Sequence, residues 1–440
     1  MSTRGRRFRN GATVVGDVMW RHQKVKLADI LFSVSEAMDL SDPSLTDHQI
    51  RTAFVADELA RAGRLDHSQT ERLSIAALLH DIGALSPEQK IASHVFEDIN
   101  PGPHCQRGGM LFREAFWLAP SAPIIDWHHT PMQTHRAAGR TLMDPDVLGA
   151  QILCLADNLE RAIRRDTFIL HQTDQLRERI HGLAGGFLDG DVVALFDEVS
   201  RSERFWLELV SKQLTRDLRE RSLLHAIDLD FEAALSVAGV LKDMTDFRSR
   251  FTACHSVGVA TCSKDIGEVL GFTGRDLQQI HLAGLLHDIG KLAVPEAILC
   301  KPTRLTPEEY LVIKQHPYQT LRIVSRVRGM EQIGEWAAFH HERLDGSGYC
   351  LHNQLADLDM GAKEVAVADV ATAIAERRPY RQPGENMVVL DELRAMSARG
   401  LLDSRIVEAL ADNFAPIMAH VRDEQAADET RYARRYAKIN

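Results

Sequence analysis

The chain has few cysteines, few aromatic residues and no long apolar run, and each shortage removes a class of protein. No stretch of its 440 residues approaches the roughly 18 consecutive apolar positions of a membrane-spanning helix, so no membrane partner is expected. The first ten residues, MSTRGRRFRN, are basic but lack the apolar core of a secretion signal, and residues 1–23 read as a basic flexible tail. The six cysteines (105, 154, 254, 262, 300 and 350) form no Cys-x-x-Cys pair. That spacing argues against a zinc knuckle or a disulfide scaffold and fits reduced thiols in the cytoplasm. Aromatic residues make up 6% and β-branched runs are scarce, which favours helices. A formal charge of −10 and a pI near 6.1 argue against a nucleic-acid polymer as partner. The length predicts at least two domains.

Histidine is abundant instead: there are 20, and they cluster. The densest chemistry lies in Gly284–Lys291, where His287 and Asp288 interrupt an apolar segment. Leu282, Leu285, Leu286 and Ile289 fall at i, i+3, i+4 and i+7, the buried stripe of a helix. A carboxylate beside such a stripe needs a compensating cation or metal.

The surrounding pattern occurs twice. His48 to His80 spans 32 residues, as does His255 to His287. His104 to His128 and His316 to His340 are both 24, and His129 to Asp157 and His341 to Asp369 are both 28. Only the loop after the His-Asp pair differs, 24 residues (His80 to His104) against 29 (His287 to His316). Ile75, Leu78, Leu79 and Ile82 repeat the apolar stripe 207 positions earlier. Ten of the 20 histidines stand in these registered places, which predicts two copies of one helical domain. The expected architecture is all-α, a tandem duplication joined by a long helix. A first domain covers 24–195, a connector 196–227 contains a charged helix over 201–225, and a second domain covers 228–440. The connecting helix either couples the halves or pairs subunits into a homodimer.

In the second copy the registered residues are His255, His287, Asp288, His316, His340, His341 and Asp369. Asp369 sits in Val365–Ile374, apolar all round, where a carboxylate requires a buried partner. Imidazole and carboxylate without thiolate suit manganese, iron or nickel at least as well as zinc. Seven donors exceed the four of one tetrahedral zinc and suit two metals sharing a carboxylate.

These residues resemble the HD superfamily of metal-dependent phosphohydrolases. The run His340-His341-Glu342-Arg343-Leu344-Asp345-Gly346-Ser347-Gly348-Tyr349 is similar to the signature of its HD-GYP subfamily. The likeness extends over about 228–400 through Lys291, His316-Pro317 and Arg377-Arg378-Pro379-Tyr380-Arg381. It implies hydrolysis of a cyclic dinucleotide, chiefly cyclic di-GMP, to linear dinucleotide or mononucleotides. It also implies two divalent ions, iron or manganese ahead of nickel or zinc. Asp288 would bridge them, with His255, His287 and Asp369 on one and His316, His340 and His341 on the other. A hydroxide held between the ions would attack phosphorus. Lys291 would hold a phosphate oxygen, Arg378 and Arg381 the other phosphate, and Gly346, Gly348 and Tyr349 would shape the substrate loop. In this reading Asp288 and Lys291 are the catalytic residues.

Two positions depart from the family pattern. Cys350 replaces a proline after Tyr349, which leaves loop shape and base selectivity open. Phe251 stands where some members supply a carboxylate for a third metal, so two metals are expected. In the first copy His48, His80, Asp81, His104, His128, His129 and Asp157 form a second metal set. Ala84 replaces the lysine, Thr130 the glutamate, and the glycine-tyrosine loop is missing. This half is read as regulatory or structural, or else as a second hydrolytic site for another phosphate such as the linear product. Three readings of the whole remain open. It is a cyclic di-GMP phosphodiesterase, an enzyme for 3′,3′-cyclic GMP-AMP or a nucleotide, or a non-catalytic module that binds a cyclic dinucleotide and reports to signalling partner proteins.

Overall fold

A computed structural model describes residues 25–39, 46–84, 102–246, 254–376 and 386–436. The basic tail, Phe251, Arg378 and Arg381 therefore lie outside the described residues. Six helices recur in order in the two copies. In the first they are α1 (Leu27–Met38), α2 (His48–Ala62), α3 (His67–Leu78), α4 (Gly102–Arg113), α5 (Ala122–Trp127) and α6 (Pro145–Ala162). In the second they are α7 (Phe231–Asp246), α8 (His255–Val269), α9 (Arg275–Leu286), α10 (His316–Val324), α11 (Glu331–Ala338) and α12 (Met360–Ala375). A closing helix, α13 (Phe414–Tyr436), packs on α8. The one sheet among the described residues is a two-stranded antiparallel pair, Val25–Lys26 with Asp228–Leu229.

Local chemistry sets the helix ends. Asp66 and Gln69 form a reciprocal capping box at α3. Asp144 accepts from the Asp146 N–H ahead of Pro145 at α6, and Asp359 accepts from the Ala362 N–H at α12. Each satisfies a backbone donor that has no partner inside the helix. α3 and α9 end just before their His-Asp pairs, earlier than the apolar stripe predicts, and Ile289 falls in a 3₁₀ turn. The glycine that follows has a steric cause. A Cβ on Gly83 would lie 2.0 Å from the His104 carbonyl oxygen, and one on Gly290 would lie 2.0 Å from that of His316. This approach brings the third histidine of each copy against the His-Asp turn.

The predicted long connector is not one helix. It is Glu203–Leu209, Leu214–Arg221 and a 3₁₀ turn at Leu223–Ala226. Ser211 Oγ accepts from the Gln213 N–H at 3.1 Å, and Ser222 Oγ accepts from the Leu224 N–H at 3.2 Å. These local bonds compete with helix continuation. The connector folds back on the first copy, where Arg221 pairs with Asp57 at 3.2 Å and Glu58 at 3.0 Å.

The copies share a core. α1 packs against α10 of the second copy, and α7 packs against α4 of the first. Ile30 and Val34 of α1, Ala238 and Leu241 of α7, and Leu286 and Ile289 line one apolar hollow. Arg326–Glu36 and Arg328–Asp29 ion pairs cross its rim. Among the described residues no helix is long and apolar enough to cross a membrane.

Candidate metal centres

In the second copy all seven registered residues converge. Six are buried and His341 is partly so. His255 opens α8, His287 and Asp288 follow α9, and His316 opens α10. His340 and His341 follow α11, and Asp369 lies mid-α12. Asp288 is central: its Oδ2 is 3.2 Å from His287 Nε2, and its Oδ1 is 3.4 Å from His316 Nε2 and 4.0 Å from His340 Nε2. Asp369 Oδ1 lies 3.2 Å from His255 Nε2, and its Oδ2 lies 3.9 Å from His341 Nδ1. The donors fall into two tight groups, His255/His287/Asp288 and His316/His340/His341.

The ring orientations call for cations. Nδ1 of His287, His316 and His340 each face a carbonyl oxygen three residues back, at 2.8, 2.8 and 2.6 Å. A carbonyl only accepts, so these Nδ1 atoms carry the proton and Nε2 is a lone pair. His316 Nε2 and His340 Nε2 nevertheless face each other at 3.2 Å. Burial, the largest influence on each, pushes His316 down to about 3 and His341 to about 4, and it drives His340 well below its ordinary value. No proton therefore bridges these lone pairs near neutrality. His287 Nε2 is buried without a hydrogen-bond partner. Opposed lone pairs beside two carboxylates fit a bound cation.

His255 differs. Burial opposes its charge, but Glu376 and Asp369 outweigh burial and lift it to about 10. Its Nδ1 is 2.9 Å from Glu376 Oε2, a carboxylate–histidine arrangement that leaves Nε2 for a metal. Burial also works against the charge of Asp288, yet His287 and Lys291 hold its carboxyl well below the usual range. Lys291 Nζ donates to Asp288 Oδ2 at 2.5 Å, so the lysine reaches the carboxylate the sequence reading made a bridge.

The rim is built by residues 342–354. Glu342 is buried and accepts from the Leu351 N–H at 2.8 Å and the Asn353 N–H at 3.0 Å. It clasps the loop and does not face the metal groups. Gly346 has φ +79°, and a Cβ on Gly348 would lie 2.4 Å from the Arg343 nitrogen. Tyr349 lies against His341, ring centroids 4.7 Å apart, with Lys314 5.1 Å from its ring centre. The Tyr349–Cys350 peptide is cis.

The first copy reproduces the array. His48 Nε2 and His80 Nε2 are 3.2 Å apart, and His104 Nε2 and His128 Nε2 are 3.4 Å apart. Asp81 lies 3.6 Å from both His48 and His80, and 3.7 Å from His104. Asp157 lies 3.5 Å from His48 and 3.8 Å from His129. Four features escaped sequence reading. Gln49 Nε2 donates to Asp81 Oδ2 at 3.2 Å, touching the oxygen equivalent to the one Lys291 reaches. Arg161 lies 3.4 Å from Asp157. Glu160 holds His48 Nδ1 at 2.5 Å, the role Glu376 has in the other copy. Cys105 joins the group His104/His128/His129; its only sequence signal was adjacency to a registered histidine.

Residues 45–162 and 237–406 each match the HD-domain family. The chain is a tandem HD-domain protein. It is 29% identical over 401 residues to 3′3′-cGAMP-specific phosphodiesterase 1 of Vibrio cholerae, covering 88% of this chain and 92% of that one. It is 37% identical over 175 residues to a cyclic di-GMP phosphodiesterase of Thermotoga maritima (39% of this chain, 47% of that one). It is 38% identical over 201 residues to the cyclic di-GMP phosphodiesterase response regulator RpfG of Xanthomonas campestris (45% and 53%). The chain thus spans nearly all of the first relative and about half of the other two. The crystal structure of a cyclic GMP-AMP-specific phosphodiesterase from V. cholerae (V-cGAP3) shares the fold. Its TM-score is 0.60 at 20% identity, covering 89% of this chain and 98% of that one.

Proposed function

We propose that this protein is a phosphodiesterase for cyclic dinucleotides and that its second HD domain, of the HD-GYP kind, is the catalytic one. Asp288 would be shared by two divalent cations, with His255, His287 and Asp369 completing one set and His316, His340 and His341 the other. Oxygen and nitrogen donors without sulfur favour iron or manganese over zinc. Cations held there supply Lewis-acid stabilisation of phosphate oxygens and an acidified water. The protein's own part is to fix the donors, through the Nδ1 contacts and Glu376, and to present Lys291. Lys291 keeps about a fifth of its side chain exposed (22%) while touching Asp288, which lets it turn toward a phosphate oxygen. Tyr349, held by the Glu342 loop, borders the site and offers a ring face to a base. Arg378 and Arg381, in the Arg-Pro-Tyr-Arg run, would hold the other phosphate. None of the six cysteines is in a disulfide, which supports a reducing, cytoplasmic setting.

The observation that carries this reading is Lys291 set against Asp288 amid the opposed lone pairs, because the first domain shares the lone pairs but has the Gln49 amide on the equivalent oxygen. A second observation bears on the base. The relative matched over 88% of the chain is named for 3′3′-cGAMP, so that dinucleotide stands beside cyclic di-GMP as substrate. Chromatography of products from both, with manganese- or iron-loaded protein, tests the reading. Linear product from at least one is expected, and no turnover of either would overturn it.

A further inference from the structure

We infer that Cys105 is a metal ligand, and that with His104, His128 and His129 it forms a closed thiolate-containing centre in the first HD domain. This rests on the metal-binding reading of the fold but not on hydrolysis by the second domain.

The evidence is geometric. Cys105 Sγ lies 3.6 Å from His104 Nε2 and 4.0 Å from His128 Nε2, and those two nitrogens are 3.4 Å apart. A tetrahedral zinc with bonds of about 2.3 Å to sulfur and about 2.0–2.1 Å to nitrogen has S···N edges near ~3.6 Å and N···N edges near ~3.4 Å. Two of the three observed edges match, and the third is a few tenths of an ångström long. His129 completes the group, with all four donor atoms within 4.8 Å of one another. The Nδ1 of His128 faces the Ile125 carbonyl at 2.7 Å, which aims its Nε2 lone pair at the sulfur. Cys105 is 2% exposed, His104 7% and His128 0%. Water therefore has little access to compete for the position.

The second HD domain has Pro317 at the register position of Cys105, directly after His316. Proline offers no donor there, so a cation held by His316, His340, His341 and the shared Asp288 has one protein donor fewer than its counterpart and keeps a position for water or substrate. Catalytic zinc-type sites keep such an opening and structural ones close it. In the first domain a thiolate occupies that place. Sulfur also shifts preference toward zinc and away from manganese. One chain would thus hold two chemically different centres, an open nitrogen–oxygen site for reaction and a closed nitrogen–sulfur site for structure. The same substitution explains why a complete histidine set need not bring hydrolysis with it.

Cobalt(II) substitution of the full-length reduced protein tests this. A thiolate bound to cobalt gives a near-ultraviolet charge-transfer band that imidazole and carboxylate do not. The band is expected in wild type, absent in Cys105→Ser and retained in Asp288→Ala. Competition with a chelator should show zinc retained roughly tenfold or more tightly by wild type than by Cys105→Ser at that centre. Cys105→Asp, which restores an anionic donor, should recover metal content without the band, separating ligation from packing. A cobalt-loaded wild type without the band, or zinc retention unchanged in Cys105→Ser, would overturn the inference. Neither outcome depends on turnover, so a failure here is distinct from a failure of the phosphodiesterase reading.

Discussion

Asp81 and Asp288 are the same residue in two settings. Asp288 Oδ2 meets the Lys291 ammonium, whereas Asp81 Oδ2 meets the Gln49 amide. The histidines and aspartates that cluster were legible in the sequence because their spacing survives duplication. Their supports were not. The carboxylate on the first histidine's Nδ1 is Glu160, three residues after Asp157, but Glu376 is seven after Asp369. One atom is reached from two addresses, so counting registers misses it. Ala84 in place of the lysine is one of several differences around the two aspartates, alongside Gln49, Arg161 and Cys105. Glu376→Gln should weaken metal binding by roughly 10–100-fold, as loss of such supports does, and metal titration followed by mass spectrometry checks it. Gly290→Ala should cost about 1–3 kcal/mol or more, since its Cβ meets backbone that cannot yield. Thermal melting reads this, with a matching loss expected for Gly83→Ala.

At the scale of elements, α12 carries Asp369 in a stretch read as apolar all round; most of the helix is buried, with Lys363, Val370 and Ala373 partly exposed. Its other acid, Glu364, shows a cost. Glu364 is 0% exposed, both its oxygens lack partners, and burial pushes its carboxyl up to about 8 from an ordinary 4.5. Between those two values the unfolded chain has released the proton that the folded chain retains. Stability from this group therefore falls as pH rises from about 4.5 to about 8, and it is flat outside that window. Glu364→Gln should match wild type near the lower limit and exceed it near the upper one by roughly 2–4 kcal/mol, read as denaturant midpoints. The connector was the least legible element. Its charge pattern suits one helix, but Ser211 and Ser222 divert backbone N–H groups into local turns. Sequence periodicity weighs a whole stretch, whereas one serine ends a helix.

At the scale of the molecule, the duplication predicted two copies but not how they join. Each copy's first helix packs on its own copy and also reaches the other: α1 lies against α10, and α7 against α4. Since α10 carries His316 and α4 carries His104, each first helix backs a candidate metal group of the other copy. Such cross-packing is invisible to spacing, because both partners look complete in sequence. Ile30→Ala, a change in the first copy, should remove about 2–4 kcal/mol of stability. Because the hollow also contains Leu286 and Ile289, calorimetry should show the lowered transition as one event, not a separate melt of the first domain.

The central claim is that one of two similar metal arrays does the chemistry. Product chromatography on three proteins supplied with the same excess of manganese or iron, wild type, Asp288→Ala and Asp81→Ala, tests it most directly. The expected result is linear dinucleotide from wild type and from Asp81→Ala, and none from Asp288→Ala. Turnover by Asp288→Ala at the wild-type rate, or its loss in Asp81→Ala alone, would contradict the assignment.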